Sequence, residues 1–324
     1  MGAPNQRPAV NTTSEEPRDF GSVAVVVLNW NGTDDTLECL KSLAQLDYPC
    51  CEIVVVDNGS RESPRALIME QFPSVTYLET GRNLGYAGGN NVGIRHALRR
   101  GHDYVLVLNN DTAVEPDVLR RAVAVAQSDA CIAALSVKIT SWDDPKLTWI
   151  AYGQVTYRQG LVRLIGHLSH ESFDEQKDVE WVPGTAMLFS RRALETVGLF
   201  DEDFFAYHED VDWCTAARKQ GFRIVYAPVA RVYHKGHRSS GGAGHVTPRQ
   251  YLAGRNMVLY VRKHASALQT AKFVTFQIVT LPFQYLRRLF TWEQAGVSLK
   301  VRGMLDGWRR RPLPLVELGL AEPP

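Results

Sequence analysis

VAVVVLNWNGTDDTLECLKSLAQL, residues 23–46, decides the fold. Its first eight residues are an uncharged, β-branched run of the kind that forms a buried parallel strand. Residues 34–46 then repeat apolar side chains at helical spacing, so a strand followed by a helix is predicted. The alternation continues. EIVVVD (52–57), VTYLE (75–79) and YVLVLN (104–109) read as strands, and 62–71 and 87–100 as helices, the second stopped by Gly101. A βαβαβαβ order predicts an α/β fold: a mostly parallel, Rossmann-like sheet flanked by helices, whose ligands bind beyond the carboxyl ends of the strands. Polar clusters occupy those ends: Asn29 to Gly32, Asp57 to Ser60, Arg82 to Gly85, and Asn109 to Asp111. Four loops are therefore expected on one rim.

After about residue 135 the pattern is mixed. Trp- and Tyr-bearing segments lie around 148–165, WVPGTAMLFS follows at 181–190, and an acidic helix start at 209–220. This half is expected to complete the sheet and supply an acceptor side. HRSSGGAGH (237–245) reads as a Gly/Ser-rich mobile loop that could serve as a lid. From Tyr251 the chain reads as helical, and 273–286 (FVTFQIVTLPFQYL) carries no charge. Fourteen residues are too few for a helix to cross a bilayer, which takes about 20. Flanked by Arg287, Arg288, Trp292 and Trp308, the segment reads equally as a helix in the membrane interface or as part of a packed hairpin. The expected organisation is a disordered tail over 1–20, a catalytic domain over 21–264 and a C-terminal helical segment over 265–324.

Composition excludes several classes. The 324 residues carry 36 Lys plus Arg against 35 Asp plus Glu, so net charge gives no sign of a nucleic-acid partner. Five cysteines, with no CxxC pair, suggest neither a disulfide framework nor a structural zinc site. The first twenty residues lack a basic start followed by an apolar run, so no cleaved secretion signal is expected and the protein is placed inside the cell, potentially at the inner face of its membrane.

The chemistry-bearing residues fall at strand ends and one helix start. No P-loop GxxxxGK[ST] is present, and the glycines at 85, 88, 89 and 93 do not make GxGxxG. A diphosphate would then need another partner, for which a divalent cation, Mg²⁺ or Mn²⁺, is the usual substitute. Asp111 ends YVLVLNND and can ligate such a cation, with Asn109 and Asn110 beside it, although an aspartate there also serves as a turn or cap residue. Asp57 in VVVDNGS can accept an N–H from a nucleobase, or form an Asx turn. HEDVDWCTAARKQG (208–221) gathers Glu209, Asp210 and Asp212 at a helix start, where carboxylates are favoured in any case. Asp210 is the candidate general base for an acceptor hydroxyl. His234, ending FRIVYAPVARVYH, is a candidate second ligand of the cation, with His208 and His237 weaker.

Together these pieces resemble the family 2 glycosyltransferases of the GT-A fold, and within them rhamnosyltransferase-like bacterial enzymes of cell-surface polysaccharide synthesis. The resemblance covers residues 22–264 and is carried by VVVLNWNG (25–32), VVVDNGS (54–60), GRNLGYAGGNNVGI (81–94), VLNNDT (107–112), VPGTAMLFSRRAL (182–194), FDEDFFAYHEDVDWCTAARKQGF (200–222) and GRNMVLYVRKH (254–264). It implies a nucleoside diphosphate sugar as donor and a glycan or lipid-linked saccharide as acceptor. It further implies that Asp57 binds the base, Asp111 the cation, Asp210 acts as base and His234 is a second metal ligand. Asn29, Asn58, Arg82, Asn83 and Asn110 fall on the donor side, and Trp181, Gly184, Thr185 and Glu209 on the acceptor side. Where the family's DxD has two aspartates, this chain has Asn109 and Asp111.

The expected reaction is a single in-line displacement with inversion. dTDP-L-rhamnose is the favoured donor, with galactofuranose, UDP-N-acetylhexosamine or another hexose as alternatives. Two other classes compete. Nucleotidyl transfer to a sugar phosphate wants a Gly-rich, Lys- or Arg-bearing first loop, which LNWNGTDD lacks. A non-catalytic nucleotide-sugar-binding module would have no need of Asp57, Asp111 and Asp210 together.

Overall fold

The computed structural model describes residues 20–158, 160–236, 247–289 and 294–321. Its first half follows the predicted alternation: β1 (Val23–Asn29), α1 (Thr33–Leu43), β2 (Cys51–Asp57), α2 (Arg65–Gln71), β3 (Thr76–Glu79), α3 (Gly85–Arg100) and β4 (Tyr104–Asn109). β5 (Thr112–Val114), α4 (Val118–Gln127) and β6 (Ile132–Ser141) follow, then β7 (Thr148–Ile150), β8 (Tyr152–Val155), β9 (Val162–Ile165), β10 (Lys177–Asp178), β11 (Ala186–Ser190), α5 (Arg191–Val197), α6 (Glu209–Lys219) and β12 (Arg223–His234). The described chain closes with α7 (Pro248–His264), α8 (Ala267–Leu289) and α9 (Gln294–Arg309). Of the tail expected over 1–20, residues 1–19 lie outside the described residues, as do the 237–245 loop with His237 and Trp292. Phe20 packs edge-on against Tyr48.

The central sheet runs β10-β12-β6-β11-β4-β1-β2-β3. β3, β2, β1 and β4 are parallel, while β11 enters antiparallel between β4 and β6. Val23 to Val27 and Val54 to Val56 are fully buried, as strands covered on both faces require. Parallel register aligns the strand ends: Asn29 pairs with Asp57, and Leu28 with Asn109. The far side of the same rim is built by β12, whose antiparallel pairing with β5 sets His234 opposite Thr112, the neighbour of Asp111. β8 and β9 form a separate hairpin.

Three helices close the C-terminal side. α9 lies directly on α7, and the contact is made backbone to backbone: a Cβ on Gly303 would stand 2.1 Å from the Tyr251 carbonyl oxygen, and one on Gly254 2.1 Å from that of Lys300. α8 behaves differently. It leaves Ile278, Val279, Phe283 and Leu286 largely exposed, and an apolar groove of about 820 Å³ runs between it and α9. Among the described residues no helix is long and apolar enough to cross a membrane.

Candidate active site

A cavity of about 490 Å³ opens at the carboxyl ends of the strands, where the sequence placed the polar loops. Asn58, Asn83, Asn110, Asp111, Trp181, Gly184, Thr185, Glu209, Asp210 and His234 all line it. On one side Asp111 and His234 face each other, with Nε2 of the imidazole 3.2 Å from Oδ1 of the carboxylate. Both side chains are buried, yet among the described residues that Asp111 oxygen has no hydrogen-bond partner, and neither has Nδ1 of His234. A buried carboxylate oxygen without a donor is costly unless a ligand completes it. The strand pairing explains the meeting, since the Lys235 N–H donates to the Asp111 carbonyl at 3.0 Å directly beyond the β5–β12 ladder. Trp149 packs edge-on against the His234 ring, 5.0 Å between centroids.

Asp210 stands at the start of α6. Its Oδ2 accepts from the Gly184 N–H at 3.0 Å and its Oδ1 from the Val211 N–H at 2.8 Å. The Gly184 carbonyl in turn accepts from the Tyr86 hydroxyl at 2.7 Å, so β11's approach loop ties the base candidate to α3. Burial raises the Asp210 pKa above the ordinary aspartate value, partly offset by those two N–H donors. Glu209 is raised well above the ordinary glutamate value, by burial and then by the neighbouring Asp210 charge. The Tyr86 hydroxyl is pushed up by burial and by the charges of Glu209, Asp210 and Asp111, which marks the three carboxyls as neighbours of one ring.

Three of the residues expected on the donor side do not line the cavity. Asn29 is fully buried: its amide donates to Asp57 at 2.9 Å and its oxygen accepts from the Thr36 hydroxyl and the Gly32 N–H. Asp57 is buried beside it and also accepts from the Ser60 hydroxyl at 2.5 Å. These two side chains brace the β1 and β2 ends against each other. The Arg82 side chain is exposed, while its backbone packs against Gly59 and its carbonyl accepts from the Thr80 hydroxyl at 2.6 Å. Asn58 and Asn83 do reach the cavity, joined by an amide–amide hydrogen bond of 3.0 Å.

One position with a structural role here was quoted in the sequence without being given one. Phe205, Tyr207 and His208, immediately before α6, are all left-handed, with φ of 60°, 72° and 71°. Side chains other than glycine rarely adopt that conformation, which costs about 1–2 kcal/mol per residue. The turn is held from α7 by Asn256, whose buried amide donates to the carbonyls of Phe204, Ala206 and Tyr207, each at 2.7 Å. Arg255 adds a hydrogen bond to the Asp203 carbonyl at 2.6 Å. Gly85 fits beneath only because it lacks a Cβ, which would stand 2.4 Å from the Phe205 carbonyl oxygen. Behind α6, Asp212 is bound by Lys263 at 2.8 Å and His264 at 2.7 Å. A fully buried asparagine in mid-helix was the available signal, but its partners are visible only in three dimensions.

The profile of the family described as "Glycosyltransferase like family 2" matches residues 17–253. The chain belongs to that family. This glycosyltransferase is 26% identical over 306 residues to a low-salt glycan biosynthesis hexosyltransferase of Haloferax volcanii, covering 93% of this chain and 95% of that protein. It is 26% identical over 305 residues to the N-acetylglucosaminyl-diphospho-decaprenol L-rhamnosyltransferase of Mycobacterium tuberculosis, covering 86% and 92%. Its fold is shared with a mannosyltransferase of Pyrobaculum calidifontis solved with GDP-Man and Mn²⁺ (TM-score 0.56, 18% identity, 92% of each chain). It is shared also with GalNAc-T7 solved with UDP, GalNAc and Mn²⁺ (TM-score 0.60, 16% identity), of which this chain spans about half, 48%. The fold is therefore GT-A.

Replacing Asn256 by Ala should release the strained turn, lowering kcat at least about tenfold while costing about 1–3 kcal/mol of stability. Asn256→Asp, which keeps the shape but removes the two donor hydrogens, should be no better. Steady-state kinetics beside thermal melts checks this.

Proposed function

We propose that this glycosyltransferase is an inverting, cation-dependent enzyme that moves a sugar, L-rhamnose from dTDP-L-rhamnose as the first choice, onto a lipid-linked saccharide in the assembly of surface polysaccharide. The observation that carries the reading is the arrangement of Asp111 and His234 in the same cavity as Asp210. The rhamnosyl and hexosyl transfer named for relatives of 26% identity supports the donor class. UDP-galactofuranose and UDP-hexoses or N-acetylhexosamines remain the comparison donors.

The Asp111–His234 pair fits a divalent cation: an oxygen and an imidazole nitrogen converge, and among the described residues the carboxylate oxygen has no hydrogen-bond partner. Mg²⁺ or Mn²⁺ held there would offset the negative charge of the departing diphosphate. Among the described residues no three His, Cys, Asp or Glu side chains are grouped to hold a metal, so diphosphate oxygens and water would complete the shell. Asn110 and Asn58 line the donor side. Asp210 takes the proton of the acceptor hydroxyl, whose oxygen forms the new bond to the anomeric carbon as the bond to the diphosphate oxygen breaks. Gly184 N–H fixes the orientation of the Asp210 carboxylate, and Trp181, Thr185 and Glu209 present the acceptor wall.

The base must be ionised to act, and burial raises its pKa. Activity should therefore climb with pH through an apparent pKa above the usual aspartate value, and a pH profile of kcat/KM reads that limb. Asp210→Asn should lose about 10²–10⁴-fold in transfer, the usual contribution of a general base, while donor binding measured by thermal shift stays near that of the parent. Turnover retained in the purified variant refutes the assignment.

The exposed face of α8 supports a peripheral contact with the membrane that would carry such an acceptor. Ile278, Val279, Phe283 and Leu286 project from it, with Arg287 in the last turn of α8 and Arg309 of α9 on the adjoining groove to meet anionic headgroups. Vesicles containing phosphatidylglycerol should sediment the protein, and Phe283→Asp with Ile278→Asp should weaken that binding about tenfold or more. Binding unchanged in the double variant contradicts this contact.

A further inference from the structure

We propose that residues 312–321, the strap that follows α9, form a wall of the sugar-transfer cavity and keep water from competing with the acceptor. The proposal rests on the reading of this cavity as the transfer site and adds an element outside the segment matched by the family profile.

The strap is a built structure. Leu318 N–H donates to the Pro314 carbonyl, Gly319 N–H to Val316 and Leu320 N–H to Leu315, at 2.8–3.1 Å, closing a compact turn. Gly319 takes φ +67°, the left-handed residue such a turn ends on. Two anchors fix it to the body. Leu318 is buried in a cluster with Phe205, Tyr251 and Leu252, and Glu317 pairs with Arg302 of α9 at 2.6 Å. Its end then crosses to the other half of the site, where the Asn83 amide donates to the Leu320 carbonyl at 3.0 Å. Gly319 and Leu320 line the cavity directly.

The strap thus bridges a seam. On one side lies the Asn58–Asn83 pair on the donor side, and on the other the strained turn that delivers Asp210. Asn83 is engaged at both ends of its amide, its oxygen accepting from Asn58 and from the Gly85 N–H at 2.8 Å while its nitrogen donates to the strap. Apolar Leu318 and Leu320 over that seam exclude solvent from a bond that water can also attack. In that side reaction water's oxygen bonds to the anomeric carbon, its proton passes to the base, and the nucleoside diphosphate leaves.

The test compares the full chain with a chain ending at Arg311, and with Gly319→Val. A Cβ at Gly319 meets nothing within 4 Å, so the substitution acts first through strain of a turn held at φ +67°, without a clash at Cβ. Donor hydrolysis without acceptor and transfer with acceptor are measured on each protein. The ratio of hydrolysis to transfer should rise about tenfold in both variants, the scale of losing a hydrogen bond and its shielding, and a synthetic peptide of residues 310–324 should lower it again in the truncated chain. An unchanged ratio in folded Gly319→Val overturns the strap's role, as does a fall in both rates together with no change in ratio. Absence of transfer by the full chain with every nucleotide sugar would instead refute the site reading.

Discussion

The contact between Asp111 and His234 is the constraint around which the rest is arranged. Two side chains far apart in sequence are carried to 3.2 Å by the pairing of β12 with β5, which sets His234 opposite Thr112. Neither strand could do this alone, because β4 merely ends at Asn109 and needs the short β5 to turn its polar end toward β12. Among the described residues the pairing also leaves the carboxylate oxygen buried without a hydrogen-bond partner. Such a group is stabilised when a ligand supplies the missing charge, so the geometry carries a chemical demand as well as a shape.

Opposite this pair, Asp210 is placed by strain rather than by regular structure. Three left-handed residues before α6 aim its first turn into the cavity, and one asparagine on α7 satisfies the carbonyls that the turn leaves without helix or strand partners. The cost is met from outside the turn: Asp212, Lys263 and His264 pin α6 to α7, while α9 packs backbone to backbone on α7. The C-terminal helices therefore support the site mechanically, and through the 312–321 strap they also contribute to its wall.

Much of this was legible in the sequence. The parallel half of the sheet followed from uncharged valine runs alternating with helical periodicity, and the strand ends carried the polar clusters that line the rim. The placement of Asp111, Asp210 and His234 on one cavity was legible because each sits at or beside the end of a strand or the start of a helix. Other features were hidden for physical reasons. Asn29 and Asp57 stand at the predicted strand ends, but in-register pairing turns them toward each other, a consequence of register that no single segment displays. The antiparallel entry of β11 between β4 and β6 is a choice of partner, invisible in WVPGTAMLFS itself. In the C-terminal segment the uncharged run allowed an interface helix or a packed hairpin alike, and only packing distinguishes α9, fixed to α7, from α8, which keeps apolar side chains outside.

The most direct test of the central claim is an electron paramagnetic resonance titration of Mn²⁺ into the purified protein with and without a nucleoside diphosphate. The Asp111–His234 account predicts tight uptake of Mn²⁺ only when the diphosphate is present, and loss of that uptake in Asp111→Ala and His234→Ala. Nucleotide binding that is identical with and without the cation, or Mn²⁺ uptake unchanged in both variants, would contradict it.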